Sequence, residues 1–117
     1  MNLIIFGAPG VGKGTQSDLL VKKFALTKIS TGELLRQEIQ LKTQLGNQIK
    51  NIVNNGNLVS DKIIINLINN ILSQKIMNSD IVFDGFPRTI LQGQSLEKKL
   101  NEYNKNIDYV LNLEVEL

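Results

Sequence analysis

The sequence of 117 residues contains no cysteine and no histidine. Without cysteine, neither a disulfide nor a thiolate metal site can form. Without histidine, the usual general base at neutral pH and the commonest metal ligand are both missing. Any catalysis by this chain must therefore depend on Lys, Arg, Asp, Glu, hydroxyl groups and backbone amides.

Excess charge of one sign and long apolar runs are also scarce. The formal net charge is +2, which is too small to indicate nucleic acid as the natural partner. No stretch is long enough to cross a membrane, and the first apolar run lacks the basic leader of a secretory signal. With 42% apolar and 21% charged residues, the composition suits one α/β domain, which we expect in the cytoplasm.

Glycine, in contrast, is concentrated near the N-terminus, where residues 7–15 read GAPGVGKGT directly after the apolar run 3–6. Glycine lets backbone N–H groups turn towards one anion, and the helix that follows adds unpaired N–H groups. Lys13 supplies a mobile positive charge, so we predict a polyphosphate site here. Gly14 stands where the general pattern has Ser or Thr, and Thr15 comes one residue later. This departure argues against the layout of GTPases and motor ATPases.

Apolar patterning predicts strands that alternate with helices. The strands are expected at 2–6, 27–29, 81–84 and 108–113, and the helices at 12–24, 30–41, 43–53, from 60 through the apolar stripe 63–72, and 89–101. On the last helix we expect Leu91, Leu96 and Leu100 to face inward. This alternation implies a parallel sheet, in which ligands gather at the carboxyl ends of the strands. The glycine loop and Asp84 both fall at that edge.

A second motif, DGFPRT, begins at Asp84. Gly85 lets a ligand approach the backbone, Phe86 offers an apolar surface, and Arg88 carries a planar fork suited to phosphate. Asp84 lies where P-loop proteins place an acidic group near the metal, although a strand-end carboxylate can also cap the next turn. The amide of Gln92 can both donate to and accept from an adenine edge.

Two weaker motifs lie between these. Thr31 and Arg36 fit either a phosphate site or an ordinary capped helix with a solvated arginine. Leu58 and Val59 fit either a base pocket or a hydrophobic staple, and the local sequence favours the staple. The arginine count is informative, because Arg36 and Arg88 are the only two arginines against eleven lysines. Arginine binds phosphate through two bonds and lysine as a point charge, so this restriction indicates function.

Together GAPGVGKGT, ISTGELLR, GNLVSD and DGFPRTILQ resemble the adenylate kinases, in the family's order and spacing. Members of that family move the γ-phosphoryl of ATP onto AMP, giving two ADP, with Mg²⁺. The resemblance implies a P-loop NTPase-type parallel sheet with flanking helices. Its core would comprise residues 1–29 and 60–117, and residues 30–59 would form a mobile AMP-binding subdomain. It also implies ATP and AMP as partners and a monomeric state.

The resemblance further implies roles for individual residues. The catalytic residues would be Lys13, Arg88 and Asp84, with Asp84 orienting the water shell of Mg²⁺. The ATP phosphates would be held by Gly10, Val11, Gly12, Lys13, Gly14 and Thr15. AMP would be bound by Thr31, Arg36, Asn57, Leu58, Val59, Gly85, Phe86, Arg88 and Gln92. Arg36 and Arg88 would grip the AMP phosphate, while Thr31 and Gln92 would favour adenine over a pyrimidine.

The family continues beyond the point where this sequence stops. A helix, an ATP-covering lid, a fifth strand and a terminal helix would follow, so we expect an incomplete sheet of four strands. Without the lid arginines we expect weak turnover. A UMP/CMP kinase and a nucleotide-binding module with impaired catalysis are the alternatives. Thr31 and Gln92 argue against the first. The missing lid favours the second, whereas the intact motifs argue against it. Gly14 makes a switch GTPase less favoured.

Overall fold

The structure, a computed structural model, describes residues 1–7 and 13–113, with the backbone alone for residues 13 and 14. In these ranges the strands are β1 (Leu3–Gly7), β2 (Thr27–Ser30), β3 (Ile81–Asp84) and β4 (Tyr109–Leu113). The helices are α1 (Lys13–Phe24), α2 (Thr31–Gln40), α3 (Gln44–Asn54), α4 (Asp61–Lys75) and α5 (Ile90–Glu102). The predicted elements are thus confirmed, with boundaries that differ by a residue or two. No described helix is both long and apolar enough to span a bilayer.

The strands form one parallel sheet in the order β2-β3-β1-β4. In the register, Asp84 lies opposite Ser30 on one side and Ile5 on the other. All four residues of β3 are buried, as expected for a strand that is covered on both faces. The predicted α/β fold is therefore confirmed, and Asp84 ends a central strand of the sheet.

Alternate residues of the central strands pack into two separate apolar clusters, one on each face. Ile4 and Phe83 join the cluster that contains Leu72 of α4 and Leu100 of α5. Ile5 and Val82 join the other cluster, which α1 covers with half-buried side chains. The continuous apolar runs in the sequence thus supply both faces of the sheet.

The inward face of α5 differs from the prediction in one position. Leu96 and Leu100 are buried as expected, but Leu91 is 60% exposed. Four residues before Leu96, the inward position on this helix belongs to Gln92. The prediction for Leu91 was wrong because it put an apolar residue where the helical period places a buried amide.

Helices α2 and α3 form a hairpin whose ends are fixed by side-chain caps. The hydroxyl of Ser30, the N-cap of α2, accepts a hydrogen bond from the Glu33 N–H. The hydroxyl of Thr43 accepts one from the Gly46 N–H at 2.9 Å. The two helices also approach closely at Gly46, where an added Cβ would overlap the backbone carbonyl oxygen of Glu38. Glycine is therefore required there by contact with a neighbouring helix.

Candidate functional site

The carboxyl ends of β2 and β3 open into a cavity of about 650 Å³. Its remaining walls come from α2, the segment between α3 and α4, and the first turns of α4 and α5. Eight of the nine residues predicted to bind AMP line this cavity: Thr31, Arg36, Asn57, Leu58, Val59, Gly85, Arg88 and Gln92. The structure therefore brings together motifs that are separated by up to 61 positions, from Thr31 to Gln92.

Gly85 organises the polar end of the cavity through its carbonyl oxygen. This oxygen accepts a hydrogen bond from the Thr31 hydroxyl at 3.2 Å and another from Arg88 Nε at 3.1 Å. Its backbone has φ of +80°, a conformation that side chains other than glycine rarely adopt. The hydrogen bond from Nε to the Gly85 carbonyl oxygen orients the Arg88 guanidinium. The two terminal nitrogens of the guanidinium can then bind another group.

The second guanidinium in the cavity belongs to Arg36. Its Nη1 lies against the backbone of Gly32, where an added Cβ would be 3.2 Å away. Among the described residues, neither Arg36 nor Arg88 forms an ion pair with a carboxylate. Two guanidinium groups without an acidic partner in one cavity make a site for an anion such as phosphate.

Asp84 lines the same cavity as these arginines and is almost fully buried at the end of β3. The ammonium of Lys28 is 3.6 Å from Asp84 Oδ2 and 3.5 Å from Asp18 Oδ1. Lys28 also lines the cavity, and the sequence interpretation missed it. A lysine at the middle of a short strand carries no motif, so only the pairing of β2 with β3 reveals its place beside Asp84.

Phe86 is the predicted AMP residue that does not line the cavity. Its ring is only 1% exposed and belongs to the apolar cluster, with its centroid 6.5 Å from that of Phe83. The interpretation of Phe86 as an apolar surface for a ligand is therefore corrected to a packing role. The physical reason is that the turn after β3 directs this ring into the core.

Apolar side chains also line the cavity. Leu58, at 94% exposed, and Val59 belong to it, together with Leu35, Val53 and Ile64. The sequence interpretation took the stripe on α4 as core alone. Ile64 belongs to that stripe and packs on the core, but it also contributes to the cavity wall. The cavity thus combines cationic and apolar lining side chains, as a site for a nucleoside monophosphate requires.

The amide of Gln92 is buried in the wall of the same cavity. Its Nε2 donates to Asp61 Oδ1 at 2.9 Å, and its Oε1 accepts from the Arg88 backbone N–H at 2.8 Å. Asp61 also lines the cavity, although the sequence interpretation treated it only as part of a helix start. The sequence does not show whether an acidic residue in the first turn of a helix, such as Asp61, only stabilises the helix dipole or also contacts an amide on another element.

The predicted ATP loop lies mostly outside the described residues. This applies to Gly10, Val11 and Gly12, and to the side chain of Lys13. Thr15 is exposed near the start of α1 and does not line the cavity. The strand before this loop, β1, ends at Gly7 and pairs in parallel with β3, which ends at Asp84. The predicted ATP contacts stay predictions.

The described residues at this edge of the sheet offer few ligands for a metal ion. Within the described part of the chain, no group of three or more acidic side chains could hold an ion. Asp84 provides one buried carboxylate beside the cavity. Mg²⁺ commonly keeps several waters and takes one or two carboxylates together with substrate phosphates. A single carboxylate fits that coordination when the nucleotide supplies the remaining ligands.

Comparisons with known proteins agree with this geometry. A family profile described as "Adenylate kinase" matches residues 5–117. An adenylate kinase of Parabacteroides distasonis is 47% identical over 99% of this chain and 61% of its own length. Those of Porphyromonas gingivalis and Mycoplasma capricolum are 45% and 46% identical, over 59% and 53% of their lengths. The chain thus spans between half and two thirds of these relatives.

Proposed function

Because this chain belongs to the adenylate kinase family, we propose that it forms the AMP site and part of the ATP site of an enzyme that converts ATP and AMP into two ADP. One observation carries the proposal: two guanidinium groups, neither of which pairs with a carboxylate of the described residues, share a cavity with apolar side chains and a buried amide. This arrangement suits a phosphate at one end and a base at the other.

In this proposal Arg36 and Arg88 bind the AMP phosphate, and the hydrogen bond from Arg88 Nε to Gly85 sets the direction of the guanidinium. The base lies between the apolar wall and the amide of Gln92. Thr31 is positioned by its bond to the Gly85 carbonyl oxygen. Residues 30–59 form the AMP-binding subdomain, and residues 1–29 and 60–117 form the core.

The reaction needs positioning and charge neutralisation more than a general base. An oxygen of the AMP phosphate attacks the γ-phosphorus of ATP, and the bond from that phosphorus to the bridging oxygen breaks, releasing ADP. The attacking oxygen is already anionic at neutral pH, so a chain without histidine can support the step. Lys13 and residues 10–15 would hold the ATP phosphates.

Mg²⁺ bound with ATP would neutralise the charge that develops on its phosphates. Asp84 would hold the water shell of that ion, which its burial at the cavity edge supports. Lys28, 3.6 Å from Asp84, would limit the negative charge there before ATP arrives. We further propose a monomeric cytoplasmic protein of nucleotide biosynthesis, without a nucleic acid partner, as the family resemblance implies.

Calorimetric titration with AMP tests the phosphate site. We expect Arg88→Ala to weaken AMP binding about a hundredfold and Arg88→Lys about tenfold, because a charge-assisted bidentate contact contributes about 1.5–3 kcal/mol. Lys98→Ala is the matched control, since Lys98 is an exposed cation on α5 outside the cavity. It should leave AMP affinity unchanged.

Nucleotide selectivity and turnover complete this test. Titration with CMP and UMP should give weaker binding than AMP, and a coupled assay with ATP and Mg²⁺ should detect ADP. Equal loss of AMP affinity in the Arg88 and Lys98 variants would contradict the phosphate site. If CMP or UMP bound more tightly than AMP, the proposal that AMP is the phosphoryl acceptor would be contradicted.

A further inference from the structure

Asp61 contacts two residues of the neighbouring helix α5 through one carboxylate oxygen. Its Oδ1 accepts hydrogen bonds from Gln92 Nε2 at 2.9 Å and from the Thr89 hydroxyl at 3.1 Å. Asp61 is the first residue of α4, and Thr89 is the N-cap of α5. A single carboxylate therefore joins the starts of two helices beside the cavity.

Gln92 is held from both sides. Its Oε1 accepts from the Arg88 backbone N–H at 2.8 Å, opposite the bond to Asp61. The side chain is only 3% exposed, so water does not compete freely for these atoms. A carboxylate can only accept and a backbone N–H can only donate. The two partners therefore allow one orientation of the amide and oppose the orientation with oxygen and nitrogen exchanged.

The amide of Gln92 can still form hydrogen bonds with a ligand. Each Nε2 has two N–H groups and each Oε1 has two lone pairs. Within the described part of the chain the amide makes these two bonds, so one N–H and one lone pair remain on a side chain that lines the cavity. A base whose phosphate is bound by the arginines would therefore face the remaining N–H donor and the remaining lone-pair acceptor of Gln92 in one fixed arrangement.

From this we propose that Asp61 is a positioning residue that selects the hydrogen-bond polarity of the base. By holding Gln92 in one orientation, it lets the cavity accept an edge with an amino donor beside a ring-nitrogen acceptor, as in adenine. Hypoxanthine presents the reverse order, a carbonyl beside a ring N–H, and is rejected. Cytosine has the same order as adenine, so this device does not exclude it. The inference rests on the proposed AMP site.

AMP and IMP are matched probes for this proposal. They share ribose, phosphate and ring shape, and they differ in the polarity of that one edge. An amide free to rotate could serve either base, whereas a fixed amide penalises the reversed edge by unpaired polar groups. The ratio of the two affinities therefore reports on the orientation of Gln92 and is insensitive to a general loss of stability.

A purely structural role for Asp61 is the alternative, because an acidic residue in the first turn stabilises a helix. Ser60→Ala controls for it. The Ser60 hydroxyl caps α4 by accepting from the Ile63 N–H, and Ser60 neither lines the cavity nor contacts Gln92. This variant should weaken the start of α4 while leaving the preference for AMP over IMP unchanged.

The experiment compares wild type, Asp61→Ala, Asp61→Asn and Ser60→Ala by calorimetric titration with AMP and with IMP. We expect the AMP-to-IMP affinity ratio to fall about tenfold in Asp61→Ala and less in Asp61→Asn, which keeps a neutral acceptor. Hydrogen exchange of the Gln92 side-chain amide, followed by NMR on ¹⁵N-labelled protein without nucleotide, should quicken in Asp61→Ala and not in Ser60→Ala.

Two results would overturn this inference alone: an unchanged affinity ratio in both Asp61 variants, or unchanged exchange of the Gln92 amide in Asp61→Ala. An equal fall of the ratio in Ser60→Ala would assign the effect to the helix start and would also overturn it. Absence of AMP binding to the wild type would overturn the proposed function, and this inference with it.

Discussion

The central sheet and the α2–α3 hairpin are held together by different means. Every residue of β3 is buried, and apolar clusters cover both faces of the sheet. In the hairpin, α2 has no buried residue and α3 has only Gly46 and Ile49. Burial of apolar area dominates the sheet, whereas helix caps and one close backbone contact dominate the hairpin.

This difference predicts two levels of stability in one chain. Segments with few buried apolar contacts open at lower free energy than the core. The hairpin carries Arg36 and one wall of the cavity, while the core carries Asp84, Arg88 and Gln92. Local opening of the hairpin would therefore leave the cavity residues on the core in place.

The largest expected effect comes from Phe86→Ala. Removing this buried ring should lower the free energy of unfolding by about 3–5 kcal/mol, because it packs beside Phe83 in the main cluster. Phe24→Ala is the matched control, since Phe24 is 45% exposed at the end of α1. Urea denaturation followed by circular dichroism measures both. Equal losses in the two variants would contradict the core position of Phe86.

The second prediction concerns Gly46→Ala, which adds one methyl group to the hairpin and should affect its stability more than that of the core. Gly46→Ala should destabilise the hairpin by about 1–3 kcal/mol, because the added Cβ overlaps the Glu38 carbonyl and the helices must separate. Native-state hydrogen exchange should show faster exchange in α2 and α3 and little change in β3.

Gly93→Ala is the control for that substitution. Gly93 is also helical, but its added Cβ would be 4.0 Å from Pro87, an ordinary contact. Helix propensity then favours alanine by up to about 1 kcal/mol. A loss of stability in Gly93→Ala as large as in Gly46→Ala would show that the close approach of α2 and α3 is not the cause.

The smallest expected effect is that of Thr43→Ala. It removes the hydroxyl that caps α3, so amide exchange in the hairpin should reflect a loss of about 1 kcal/mol. Thr43→Ser keeps the hydroxyl and should restore most of it. If Thr43→Ala lowered protection of β3 as much as that of α3, the hairpin and the sheet would unfold as one unit, and the comparison between them would fail.

Local patterns in the sequence were sufficient for most elements and for the edge where the site lies. Continuous apolar runs predicted β1 and β3, and apolar patterning predicted the helices between the strands. The glycine loop and the Asp84 motif predicted a common edge because parallel strands end together. These inferences depend only on neighbours in the chain, which is why they needed no tertiary information.

Other features depend on which elements pack together. Leu91 and Phe86 were misjudged because an apolar residue in a turn or helix does not reveal which face meets the core. Lys28 and Asp61 were missed as cavity residues because their partners, Asp84 and Gln92, lie on other elements of the fold. The close contact of Gly46 with Glu38 likewise exists only once α2 and α3 have packed.

The sequence by itself determined the chemistry available to this protein: two arginines, a glycine loop, a strand-end carboxylate and no histidine. Only the tertiary structure decided that both guanidinium groups face one cavity and that Asp61 holds the amide of Gln92 there. The physical reason is that residue type sets what a group can donate, accept or neutralise. Its partner and its direction are set by side chains that come from distant parts of the chain.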